Sequence, residues 1–210
     1  MDKRQNPPAA HHPPLTNIAI FASGAGTNAQ KIIDHFRNSL LARIALIVCN
    51  KPGAGVLDIA KKEKIPSLLL DKEKFFRGSA YVDELKEKKI AFIVLAGFLW
   101  KIPKTLLDEY PRRIINIHPA LLPKYGGKGM YGQKVHETVI EKRDRESGIT
   151  IHYVDEHYDN GDTILQVTCP VLSDDTPETL ATRIHALEYV NYPVIIEELV
   201  KKLRAASHEL

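Results

Sequence analysis

Asn17-Ile18-Ala19-Ile20-Phe21-Ala22-Ser23-Gly24-Ala25-Gly26-Thr27-Asn28-Ala29 carries an apolar segment straight into a glycine turn. Asn17–Ala22 reads as a buried strand. Across Thr27–Arg37 the apolar residues Ile32, Ile33 and Phe36 fall at helical spacing. A strand, a tight turn and an amphipathic helix open a strand–helix–strand unit, and the chain repeats that pattern. Strands are expected at Arg43–Cys49, Ser67–Leu70, Ala91–Leu95 and Arg113–Ile117. Helices are expected at Val56–Lys64, Ala80–Lys89 and Pro103–Glu109, the last with proline at its first position, where a missing N–H is harmless. The strands are continuous apolar runs, as strands covered on both faces are.

The pattern changes after Pro119. A glycine-rich loop, Lys124–Gly132, precedes a helix near Val135–Lys142. Gly148–Val154 and Thr163–Val171 then alternate in part around the turn-forming Asp159-Asn160-Gly161-Asp162, which predicts an antiparallel hairpin. A long helix over Pro177–Leu203, bent near Pro193, closes the chain. The expected fold is α/β: a single-domain, doubly wound, mostly parallel sheet of Rossmann-like type with a late antiparallel hairpin and a long C-terminal helix. Residues 1–16 are expected to be a disordered tail, and 17–210 the domain. The tail has four prolines and two histidines but no apolar centre, so it does not read as a signal peptide.

Composition limits the partners. Of 210 residues, 44% are hydrophobic and 26% charged, and the net charge is only +3 from 29 basic and 26 acidic groups. That balance argues against a nucleic-acid partner, and no apolar run reaches membrane-spanning length. Cys49 and Cys169 lie in apolar runs and read as buried free thiols of a protein in a reducing cytoplasm. The chain is expected to be a monomer or a homodimer. The histidines and cysteines show no spacing suited to a metal, and none is expected.

Two segments carry chemistry. The first is the turn Ser23–Ala29. Its glycines let the backbone approach a ligand, and the helix start offers free N–H groups to a phosphate. Gly24, Gly26 and Ala29 also match a dinucleotide pattern, but Cys49-Asn50-Lys51 stands where that pattern needs a ribose-binding acid. Phosphate binding, dinucleotide binding and a merely structural turn all remain open, and Thr27 and Asn28 can cap the helix or face the ligand. The second is Asn116-Ile117-His118-Pro119 at a strand end. Residues two apart share a face, so an amide and an imidazole can together stabilise a developing oxyanion. Asp159, in the later turn, can raise the His118 pKa if it reaches the ring. Otherwise His118 is a structural residue and Asp159 a turn former.

Asn116-Ile117-His118-Pro119-Ala120-Leu121-Leu122-Pro123-Lys124-Tyr125 closely resembles the signature of the folate-dependent formyltransferases. The likeness extends from about Asn17 to Leu199, including Ser23–Asn28, Ala96-Gly97-Phe98 and Gly148 through Gln166. It implies transfer of a formyl group from 10-formyltetrahydrofolate to the amine of glycinamide ribonucleotide, in purine synthesis. On that resemblance Asn116, His118 and Asp159 are catalytic. Gly26, Thr27 and Asn28 hold the phosphate, and Glu188 contacts the ribonucleotide. Leu99, Trp100, Lys101, Ile102, Asn116 and Asp155 line the folate pocket. Trp100 either stacks on folate or fills core, and His185 replaces a glutamine of commoner members. Members acting on tRNA would add a basic C-terminal domain, and the related hydrolases an N-terminal one; neither is expected here.

Overall fold

The computed structural model describes residues 14–208. Most of the expected tail therefore lies outside the described residues, and the first strand begins at Thr16. The elements are β1 (Thr16–Ala22), α1 (Thr27–Phe36), β2 (Ala42–Cys49), α2 (Gly55–Lys62), β3 (Ser67–Leu69), α3 (Lys72–Arg77), α4 (Ala80–Glu87), β4 (Ile90–Leu95), α5 (Lys104–Glu109), β5 (Ile114–His118), α6 (Gln133–Glu141), β6 (Glu146–Tyr153), β7 (Thr163–Pro170) and α7 (Pro177–His208). Together they form a seven-stranded sheet in the order β3-β2-β1-β4-β5-β6-β7. The first five strands run parallel, and β6 and β7 are antiparallel additions at the β5 edge. The α/β class, the mostly parallel sheet, the late hairpin and the long last helix are as expected.

Side chains alternate across β1 and feed two cores. Ile18, Ile20 and Ala22 join a cluster with α1, α2, α6 and α7; Ala19 and Phe21 join another with α3, α4 and α5. Helices on both faces explain why the strands show no polar stripe. Burying one Ile or Phe side chain in such a core is worth about 1.5–3 kcal/mol.

Three local details depart from expectation. The helix α3 was not anticipated; the Asp71 side chain caps it by accepting from Lys74 N at 2.9 Å. Pro103 is the cap of α5 and not its first residue. The last helix, α7, runs past the expected Leu203 to His208, with Pro193 inside it. Tyr192, just before it, is fully buried, and its hydroxyl lies 2.9 Å from Leu95 O and 3.3 Å from Ile115 O. One hydroxyl proton thus ties the last helix to the end of β4 and to the neighbouring strand β5.

Candidate active site

The parallel strands end at a common edge. There the chain leaves β1 for α1 on one side, and β4 pairs with β1 on the other. Such a reversal of strand order opens a crevice beyond the strand ends. A cleft of about 840 Å³ occupies it. Its wall includes the Ser23–Asn28 turn, Ala96–Leu99 after β4, Asn116–Pro119 from β5, the 127–132 loop, Asp159, and Glu188 of α7.

The turn after β1 needs glycine at one place. Gly26 caps α1 with φ 80°, and a Cβ there would lie 2.8 Å from Val56 Cβ. A glycine cap supplies no side chain, and the start of α1 has no side-chain capping bond. Neither Thr27 nor Asn28 is the cap. The Asn28 amide Nδ2 instead donates to Glu188 Oε2 at 2.9 Å. The turn therefore keeps its first amides and helix dipole available to an anion.

Asn116, His118 and Asp159 meet on the same cleft wall. His118 is 3% exposed. Its Nε2 lies 2.8 Å from the Tyr125 carbonyl oxygen, which can only accept, so Nε2 carries a proton. Nδ1 then faces Asp159 Oδ2 at 3.5 Å. Asp159 comes from the turn between β6 and β7, with φ 53°, and its Oδ2 also accepts from Gly127 N at 2.9 Å. Gly161 closes that turn against β6; any Cβ there would overlap the Tyr153 carbonyl oxygen.

His152 belongs to this group although its sequence context did not single it out. It stands directly across from Asn116 in the β5–β6 ladder. Its Nδ1 donates to the Tyr153 carbonyl at 2.8 Å, so Nε2 offers a lone pair, and Asn116 Nδ2 donates to it at 3.1 Å. The second Asn116 hydrogen makes a longer, 3.4 Å contact with Asp159 Oδ1. The amide is thus held by one firm bond and retains one loosely used hydrogen.

The charges differ from expectation in one respect. Burial pushes the His118 imidazole down, Asp159 and the Tyr125 carbonyl pull it up, and burial prevails. Asp159 acts in the expected direction but is outweighed in the open cleft. For Asp159, burial pushes its carboxyl up, but the His152 and His118 imidazoles, which favour the carboxylate whenever they take up a proton, and the Gly127 N–H outweigh it and hold it low. An ionised Asp159 beside a neutral His118 is the resting arrangement. It leaves an Nδ1 lone pair facing a carboxylate, which a proton on Nδ1 would turn into an attractive pair.

Glu188 is 4% exposed and accepts from Asn28 Nδ2 and from His185 Nδ1, each at 2.9 Å. The bond to Glu188 raises the His185 pKa. Gly26, Thr27, Asn28, Leu99, Asn116, His118, Asp159 and Glu188 all line the one cleft. Trp100, Lys101, Ile102 and Asp155 do not. Trp100 packs at 5.7 Å from Phe75 and 5.5 Å from Phe76, the second residue being partly exposed. Ile102 is core, Lys101 is exposed, and Asp155 accepts from His157 N and Asn160 Nδ2.

Residues 16–196 match the model of the family described as formyl transferase. The chain is 40% identical over 203 residues to the chloroplastic phosphoribosylglycinamide formyltransferase of Arabidopsis thaliana, spanning 92% of this chain and 70% of that one. It is 37% identical over 191 residues to the phosphoribosylglycinamide formyltransferase of Bacillus subtilis, spanning 89% and 95%. The crystal structure of the phosphoribosylglycinamide formyltransferase from Bacillus halodurans matches with a TM-score of 0.80 at 40% identity, covering 90% of this chain and 97% of that one.

Proposed function

This chain belongs to the formyl transferase family, and we propose that it moves the formyl group of 10-formyltetrahydrofolate to the amine of glycinamide ribonucleotide, yielding formylglycinamide ribonucleotide and tetrahydrofolate in purine synthesis. One observation carries the reading. Buried His118 and half-buried Asn116 and Asp159 share a single cleft with the start of α1, which no side chain caps, so oxyanion donors and an anion site face the same space.

In this reading the ribonucleotide phosphate sits on the backbone of Gly26, Thr27 and Asn28, with Glu188 beside the sugar. The folate enters past Leu99, with Trp100, Lys101 and Asp155 towards its outer side and Ile102 backing that wall from the core. The amine attacks the formyl carbon, a C–N bond forms, and the formyl oxygen gains negative charge. Asn116 diverts its loosely held hydrogen to that oxygen. His118, protonated on Nδ1, adds the second donor. Asp159 makes the protonated ring less costly as the cleft fills and water leaves. The attacking nitrogen then gives up a proton, N10 of the folate takes one, and the C–N10 bond breaks. Holding both substrates in one cleft supplies much of the rate through orientation alone.

All these groups come from one chain, so the reading holds for a monomer or a homodimer. A cytoplasmic location suits the free, buried Cys49 and Cys169. The test is release of tetrahydrofolate from 10-formyltetrahydrofolate with and without glycinamide ribonucleotide. Release that depends on the ribonucleotide is expected; equal release with water alone overturns the reading in favour of hydrolysis.

A further inference from the structure

His136 projects from α6 into the wall of the cleft, and the catalytic trio makes no use of it. The residue is 3% exposed, and its Nδ1 is enclosed without a hydrogen-bond partner. Folded proteins leave few enclosed polar atoms unpaired, and those they do leave call for a reason. The neighbouring His185 does not supply a partner. Its ring stands edge-on with centroids 6.5 Å apart, its Nδ1 is bonded to Glu188, and it is stacked on Tyr189 at 5.9 Å.

The chemistry beside His136 is that of a diol site. Glu188 Oε2 already takes bonds from Asn28 and His185, which leaves Oε1 as an acceptor for one hydroxyl. A carboxylate can only accept. Burial holds His136 neutral, with its pKa at about 4, and a neutral imidazole has one donor and one acceptor nitrogen. Because Nδ1 is sealed, its lone pair stays unused and the proton belongs on Nε2, the nitrogen left to the cleft; a hydroxyl that donates to Glu188 can accept from that N–H.

We infer that His136 reads a ribose hydroxyl of the ribonucleotide alongside Glu188, and so sets sugar specificity. This rests on the proposal that the cleft takes glycinamide ribonucleotide. The test compares wild type, His136→Phe and His136→Gln on glycinamide ribonucleotide and on its 2′-deoxy and 3′-deoxy analogues. In His136→Phe the KM for the ribonucleotide should rise about tenfold, the effect of one lost hydrogen bond, while kcat and the KM for 10-formyltetrahydrofolate stay near wild type. One deoxy analogue should lose its penalty in that variant, and His136→Gln should recover part of the loss. An unchanged KM, or equal deoxy penalties in wild type and variant, overturns the inference. If His136→Phe does not fold, side-chain 15N shifts of His136 in the wild type are read on saturation with the ribonucleotide; unmoved shifts overturn it equally. Wild type that binds but never formylates the ribonucleotide fails the functional proposal instead, while the binding shifts still judge His136.

Discussion

The backbone carbonyl of Tyr125 holds Nε2 of His118 at 2.8 Å and so turns Nδ1 towards Asp159. The ring therefore has one structural nitrogen and one that can change its proton. His118→Ala removes the second and should lower kcat by about 10²–10⁴-fold, the usual weight of general acid–base catalysis. Formylation kinetics beside a circular dichroism spectrum would check this; near-wild-type turnover in a folded variant would remove His118 from the chemistry.

Asp159→Asn takes away the charge that pulls the His118 pKa up, while burial still pushes it down. The pKa should fall further, so less of the ring is protonated at any given pH. An NMR titration of the His118 ring protons reads this directly. A pKa that stays put or rises in the variant contradicts the assigned pairing.

His152→Phe deletes the acceptor 3.1 Å from Asn116 Nδ2 without touching the cleft's anion site. The amide would be free to rotate. The expected result is a kcat about tenfold lower with little change in the ribonucleotide KM, the size of one positioning hydrogen bond. A change in KM alone would mean that His152 does not position Asn116.

Gly26→Ala puts a Cβ against Val56 at a φ of 80°. The strain should destabilise the fold by about 1–3 kcal/mol and raise the ribonucleotide KM, because the distorted amides belong to the proposed phosphate site. Chemical denaturation and steady-state kinetics would each report one half of this, and an unaltered midpoint would show that the turn relaxes freely.

His136 links pH to stability. Its folded pKa is about 4 against an ordinary 6.5. Above 6.5 neither state gains a proton at this site. As pH falls from there towards 4 the unfolded chain binds a proton that the folded one refuses, so stability drops, by up to about 3 kcal/mol at 1.36 kcal/mol per pKa unit. His136→Phe should flatten that part of the stability–pH curve; an identical slope in both proteins would assign it to other groups.

Much of this was legible because period and punctuation are local. The strand–turn–helix start, the parallel strands and the hairpin around Asp159 follow from apolar runs broken by glycine, proline and acid-rich turns. The six-residue α3 was missed because so short a helix shows no period, although Asp71 as its cap left a trace. His152 needed the ladder register to bring it opposite Asn116. Asn28 and Glu188 meet across 160 residues, which no local pattern reports. The direction of the His118 shift depends on how much protein surrounds the ring, and that is a property of the folded state alone.

The Tyr192 hydroxyl that bridges β4 and β5 has a mechanical consequence. Glu188 lies four residues earlier on the same helix, about 6 Å along its axis, while Asn116 directly follows one of the carbonyls that the hydroxyl touches. The sugar-side acid and the oxyanion-side amide are therefore surveyed from a single benchmark. A thermal shift of α7 against the sheet would displace that benchmark first, and the alignment of the two reactants would drift with it before either pocket lost its shape.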